Sequence, residues 1–208
     1  MKLISEEYAK VLARNKTLRG SEYFSNKFNK DHAEWQMLGA VQSIHEGSGR
    51  PYPTHACKGE RPDFQLYSPG ILKRGLEITR VMPLGYEAQR HHREMEKAGP
   101  RGPRSRLHDY PAYSEHWNWL RVAVRGKLAE PYIAACDLLV YFDVCIGDTA
   151  EPSMDFGISI RDEWLRCPDG DFGIPEIASS GVHSVIVLSS GLDSLAIIHP
   201  EFRILPPV

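Results

Sequence analysis

The sequence predicts an α/β protein, with a central mixed sheet flanked by helices. Three observations lead there. Stretches 75–81, 138–143 and 182–188 are apolar and rich in β-formers, and read as strands buried in a sheet. Two stretches before the first of these, and one between the first and second, carry apolar residues at spacings of three and four. The order, helices then a hairpin then a helix then strands, is that of a sheet covered by helices.

At the N-terminus Ser5 is placed to cap a helix whose apolar positions are Tyr8, Val11, Leu12 and Leu18. A second helix carries Ala33, Met37, Ala40, Val41 and Ile44 on one face and stops at the glycine and proline cluster "EGSGRPYP". Strands follow at 63–67 and 75–81, with "SPG" as the turn of a hairpin. A helix from Ser114 to about Glu130 presents Trp117, Leu120, Val124 and Leu128, and Pro131 ends it. "CDLLVYFDV" and "GVHSVIVLSSG" read as buried strands, "DFGISI" as a short strand or irregular segment, and "LAIIHPEFRIL" as one or two short strands.

The chain has 208 residues, enough for one sizeable core, and nothing divides it, so a single domain over 1–208 is expected, with N-terminal helices within 1–46. It is 42% hydrophobic and 25% charged with a formal net charge of −2, so no global charge demands a nucleic-acid or membrane partner. No apolar run approaches the roughly 20 residues that span a bilayer. "MKLISEEYAK" turns charged too early for a signal peptide. Cys57, Cys136, Cys145 and Cys167 show no CxxC spacing, and Cys136 and Cys145 flank an apolar run as buried thiols would. A reducing, cytoplasmic setting without structural zinc is expected.

The informative feature is a carboxylate inside an apolar strand. Side chains alternate along a strand, so Leu76 and Ile78 share one face while Glu77 and Thr79 share the other, which would open on a cleft. Asp63 starts the preceding strand, and hairpin pairing would bring it to Glu77. Two carboxylates brought together repel unless a cation lies between them. Mg²⁺, or Mn²⁺ in its place, suits such hard oxygen ligands, activates water and neutralises phosphate charge. A solvated hairpin with charges on its outer face is the plainer alternative.

Glu34 on the preceding helix, Pro62-Asp63, and Glu77-Ile78-Thr79 within an apolar strand together resemble the PD-(D/E)xK nuclease superfamily over about residues 31–143. The resemblance implies a restriction-endonuclease-like fold and a single nuclease-like domain. It implies a Mg²⁺-dependent endonuclease acting on DNA, or with less support RNA, with catalytic Asp63, Glu77, Lys127 and Glu34 and the metal on Asp63 and Glu77. Thr79 stands where the family has its lysine. Some members carry that lysine on a neighbouring helix, and Lys127 lies at the edge of its helix's apolar stripe. Equally, Lys127 could snorkel along the domain edge, and Glu34 could close a capping box with Asp31 as N-cap.

Arg61 and Arg80 flank the two acids and could contact phosphates. Stretch 89–110 has no apolar period and reads as an exposed basic loop; Arg90, Arg93, Arg101, Arg104 and Arg106 could track a nucleic-acid backbone. His91-His92 face apart on a helix and make a poor metal pair. "CPDGDFG" lacks EF-hand spacing, "SSGLDS" lacks GxSxG, and neither a Walker A nor a GxGxxG motif occurs. Two functions of different class follow: a metal-dependent phosphodiesterase, or a catalytically inactive nuclease-like domain that binds nucleic acid or protein. A small enzyme or effector acting on another substrate is a third. The oligomeric state is open, a homodimer included.

Overall fold

Eight strands form one mixed sheet whose spatial order follows the chain. The computed structural model describes residues 1–15, 26–68, 71–81, 113–142, 153–167, 169–189 and 192–205; at 26–29, 71–73, 113–115 and 153–155 it describes the backbone alone. The elements are β1 (Lys2–Leu3), α1 (Ile4–Asn15), α2 (Asn26–Gly47), β2 (His55–Lys58), β3 (Phe64–Ser68), β4 (Ile71–Val81), α3 (Tyr113–Leu128), β5 (Cys136–Phe142), α4 (Ser153–Leu165), α5 (Glu176–Ser180), β6 (Ser184–Leu188), β7 (Leu195–His199) and β8 (Arg203–Leu205). Among these, β4, β5 and β6 run parallel, and every other neighbouring pair is antiparallel.

Parallel neighbours need crossovers, and α3 supplies one between β4 and β5 while α4 and α5 lie between β5 and β6. Because the strand order advances in one direction, crossovers of one hand fall on one face. Trp117, Leu120 and Val124 of α3 and Ile160 of α4 accordingly share a core with Leu138, Val140, Val185 and Val187. The opposite core joins α1 and α2, through Val11, Leu38, Val41 and Ile44, to Leu76, Ile78, Leu139, Ile186 and Leu188. Successive residues of β5 and β6 thus feed opposite cores, as the two-residue period requires.

The face expected to open on a cleft is therefore covered: α3 lies over the side that Glu77 shares with Val81, and Glu77 is only 3% exposed. Central parallel strands are buried on both faces, which the apolar run of β4 already hinted at.

Other expectations are corrected. Residues 153–165 are helical rather than strand-like. Phe156, Ile160 and Trp164, four apart, turn inward while Ile158 is exposed, so packing overrides the β-propensity of "DFGISI". Helix α1 begins at Ile4, which places Ser5 inside it rather than at its cap. Leu12 is exposed, and Leu18 lies outside the described residues. Helix α2 begins at Asn26, so Asp31 is inside the helix and the capping box with Glu34 does not form. Gly39 packs against α1: a Cβ there would meet the Tyr8 ring at 2.2 Å.

One buried charge was not foreseen. Asp137 of β5 is fully buried and pairs with Arg74 of β4 (Nε to Oδ2, 2.6 Å), while the Ser184 hydroxyl donates to its Oδ1 at 2.5 Å. Burial pushes the Asp137 pKa up, against the opposing pull of Arg74 and Ser184. Among the described residues, no helix is long and apolar enough to cross a membrane. The basic stretch 89–110 and Cys145 lie outside the described residues.

Candidate functional site

The hairpin of β3 and β4 builds the centre of the site. The ladder pairs Phe64 with Leu76, and Pro62, which has no N–H, precedes it. In place of a further ladder bond, Asp63 uses its side chain: Oδ2 accepts the Ile78 N–H at 2.8 Å. The Asp63 N–H donates in turn to Glu77 Oε2 at 3.3 Å. The two carboxylates are tied together through the backbone, and Asp63 is 5% exposed.

Two further elements close around them. From the last turn of α3, Lys127 donates to Glu77 Oε1 at 2.5 Å. Tyr132, in the turn after α3, donates its hydroxyl to the same oxygen at 3.0 Å. On the other side α2 contributes Glu34, also 5% exposed. Lys30, one helical turn earlier, lies 3.4 Å from Glu34 Oε1 and 3.7 Å from Asp63 Oδ1. Lys58, at the end of β2, lies 2.7 Å from Glu34 Oε2 and also pairs with Asp31. Three buried acids therefore meet three lysines at the junction of α2, the β2–β4 meander and α3.

Electrostatics follow from the crowding. Burial, with the charges of Glu34 and Glu77 adding to it, raises the Asp63 pKa to about 6, although the Ile78 N–H and Lys30 pull it down. Burial works against the charge on Lys127, but Glu77 outweighs it and the ammonium is held more firmly than usual. Lys58 behaves in the same way under Asp31 and Glu34. Burial and the neighbouring Glu77 both raise the Tyr132 pKa, so its phenol stays a donor.

These shifts carry a stability prediction. An Asp that ionises near 3.8 when unfolded and near 6 when folded stabilises the fold fully below 3.8, and that stability is lost as pH rises through 6. Above that pH the charge costs up to about 3 kcal/mol. Asn can still accept the Ile78 N–H, so Asp63→Asn is expected to raise the melting temperature at pH 7.5. The gain should fade towards pH 4, as measured by thermal melts at both values. No gain at pH 7.5 would show that Asp63 is fully compensated.

The structure thus brings together Asp63, Glu77, Lys127 and Glu34, the residues singled out from the sequence. Arg61 is exposed nearby, with its guanidinium 5.7 Å from the centre of the Tyr132 ring. Arg80 is exposed near the end of β4, and Thr79 is half-buried. Arg90, Arg93, Arg101, Arg104 and Arg106 fall outside the described residues.

Lys30, Lys58 and Tyr132 were missed. Lys30 carried a weak signal, being four residues before Glu34 on one helix. Lys58 opposes Phe64 across the β2–β3 ladder, so a hairpin ending in "CKGERPD" could have placed it beside Asp63. Tyr132 carried none, because the turn that aims it exists only once α3 has docked.

Gly75 sets how closely this turn can sit on the sheet. A Cβ there would meet Cys136 Sγ at 2.6 Å and Pro62 Cγ at 2.7 Å. Gly75→Ala is therefore expected to cost about 1–3 kcal/mol by urea denaturation and to push the Pro62-Asp63 turn outward. A fully stable variant would show that the turn yields freely.

All the acidic donors are carboxylate oxygens, the chemistry that Mg²⁺ or Mn²⁺ takes. Among the described residues no three His, Cys, Asp or Glu side chains stand arranged as metal ligands; the lysines hold the acids instead. Compared with family models, curated proteins and solved structures, the chain matches none, so what this cluster can do has to be read from its own geometry.

Proposed function

We propose that the protein is a Mg²⁺- or Mn²⁺-dependent phosphodiesterase of restriction-endonuclease-like fold that cleaves nucleic acid, with DNA favoured over RNA. The observation that carries this reading is that buried Asp63, just before β3, is tied to buried Glu77 of β4 through the backbone and to buried Glu34 of α2 through Lys30, with Lys127 2.5 Å from Glu77. Buried carboxylates are costly, and gathering three of them is hard to explain by folding alone.

Asp63, between Glu77 and Glu34, would hold the ion. When bound, such an ion lowers the pKa of a water and screens phosphate charge. The chain's own groups do the rest. Lys127 would steady the attacking water or a phosphate oxygen, which answers for the threonine at Thr79. Tyr132 fixes the rotamer of Glu77, and Arg61 and Arg80 offer guanidinium contacts to the phosphates.

The test is cleavage of duplex DNA, single-stranded DNA and RNA with Mg²⁺, with Mn²⁺ and with chelator, alongside melting temperatures. The ion should raise the melting temperature and support cleavage, and Glu77→Ala should lose both. A wild-type protein that neither gains stability nor cleaves would overturn the proposal. Stabilisation by the ion, with nucleic acid bound but not cut, would leave the binding-domain reading.

A further inference from the structure

Each carboxylate oxygen of the acid cluster has its own claimant. Glu77 Oε1 accepts from Lys127 and Tyr132, and Oε2 accepts from the Asp63 N–H. Asp63 Oδ2 accepts from the Ile78 N–H, and Glu34 Oε2 faces Lys58 at 2.7 Å. Glu34 Oε2 is buried and, despite that ion pair, receives no hydrogen bond of good geometry. The two remaining oxygens, Glu34 Oε1 and Asp63 Oδ1, are bridged by Lys30 at 3.4 and 3.7 Å.

The three lysines differ in how firmly they are held. Lys127 and Lys58 are partly buried and make close contacts. Lys30 is 71% exposed, its contacts are the longest of the three, and it comes from the surface of α2. Its ammonium can leave the acids for water at little cost, and only flexible methylenes need move.

We infer that Lys30 is a stand-in cation, which compensates Glu34 and Asp63 in the metal-free protein and has to be displaced before a divalent ion binds there. This rests on the metal reading of the cluster and adds a determinant of its affinity. A monovalent ammonium bridging two carboxylates competes with a divalent ion for the same oxygens, so removing it should favour the ion. It also exposes the two acids to each other in the metal-free state.

The experiment is a titration of the full chain with Mn²⁺, following loss of the free-ion EPR signal, together with melting temperatures with and without Mn²⁺. Lys30→Met keeps most of the stem and removes the charge; Lys30→Arg keeps the charge. Lys10→Met is the control for a general change of surface charge, since Lys10 is 68% exposed on α1 and pairs with Glu7.

Lys30→Met is expected to bind Mn²⁺ about tenfold more tightly than wild type, to melt lower without the ion and to gain more stability from it. Lys30→Arg and Lys10→Met should stay within about twofold of wild type. Binding by wild type with unchanged or weaker binding by Lys30→Met would overturn the inference alone. An equal gain in Lys10→Met would overturn it too, since any lost charge would then serve. Absence of Mn²⁺ binding in wild type and Lys30→Met alike would overturn both the inference and the metal reading beneath it.

Discussion

On the proposed nuclease reading, Glu77→Gln is expected to lower metal-dependent cleavage by about 10³-fold or more while leaving a folded protein. Glu77 is 3% exposed and its two oxygens accept from three donors, Lys127, Tyr132 and the Asp63 N–H. Gln keeps the shape but has one acceptor oxygen. If that oxygen stays with Lys127 and Tyr132, its amide N–H₂ faces the Asp63 N–H. The lost acceptor should cost about 1–2 kcal/mol of stability. Lys127, being only partly buried, can swing its ammonium to water. The damage falls on chemistry because the negative charge that would hold an ion beside Asp63 is gone. The measurement is cleavage rate against Mn²⁺ concentration, paired with urea denaturation of the same preparation. A variant that still cleaves within about tenfold of wild type would remove Glu77 from the catalytic set.

The largest effect on stability is expected at Arg74. Arg74→Ala removes the guanidinium from the fully buried Asp137, which keeps the Ser184 hydroxyl. Breaking a buried pair from one side costs about 3–5 kcal/mol, against a total that is typically about 5–15 kcal/mol. The loss depends on pH. Burial already raises the Asp137 pKa, and without the guanidinium it rises further. An acid with a raised folded pKa stabilises the fold fully below its unfolded pKa and loses that contribution as pH rises through the folded one. The deficit should therefore be greatest near pH 7.5 and shrink towards pH 4.5, as read by urea denaturation at both. Arg74→Met combined with Asp137→Leu, which removes both charges, should recover most of the loss. A double variant as unstable as Arg74→Ala would mean that the place of the Arg74 guanidinium over the Tyr52 ring matters more than its pairing with Asp137.

Features that depend on near neighbours were legible in the order of the residues. "CDLLVYFDV" read as a buried strand, and it is one, with Leu138 and Val140 in one core and Leu139 in the other. Met37, Ala40, Val41 and Ile44 of the expected stripe of α2 are buried and Ala33 is half-buried, and the strands on either side of "SPG" pair as the expected hairpin. A carboxylate in a strand of apolar residues drew attention to Glu77, but its face was expected to open on a cleft, and only the packing of α3 over that face buried it.

Tertiary structure decided what meets what. That Lys127 comes within 2.5 Å of a residue 50 positions earlier depends on how far α3 runs before β5 returns parallel to β4. Lys30 reached Asp63, and Lys58 reached Glu34, only through the docking of α2 on the meander. Asp137 passed as one more residue of a buried strand, because its compensation by Arg74 lies on the next strand of the sheet. The helix at 153–165 arose because local propensities of a few tenths of a kcal/mol yield to burial worth several times that. Periodicity settles which way a side chain faces, and register and crossover settle what it finds there.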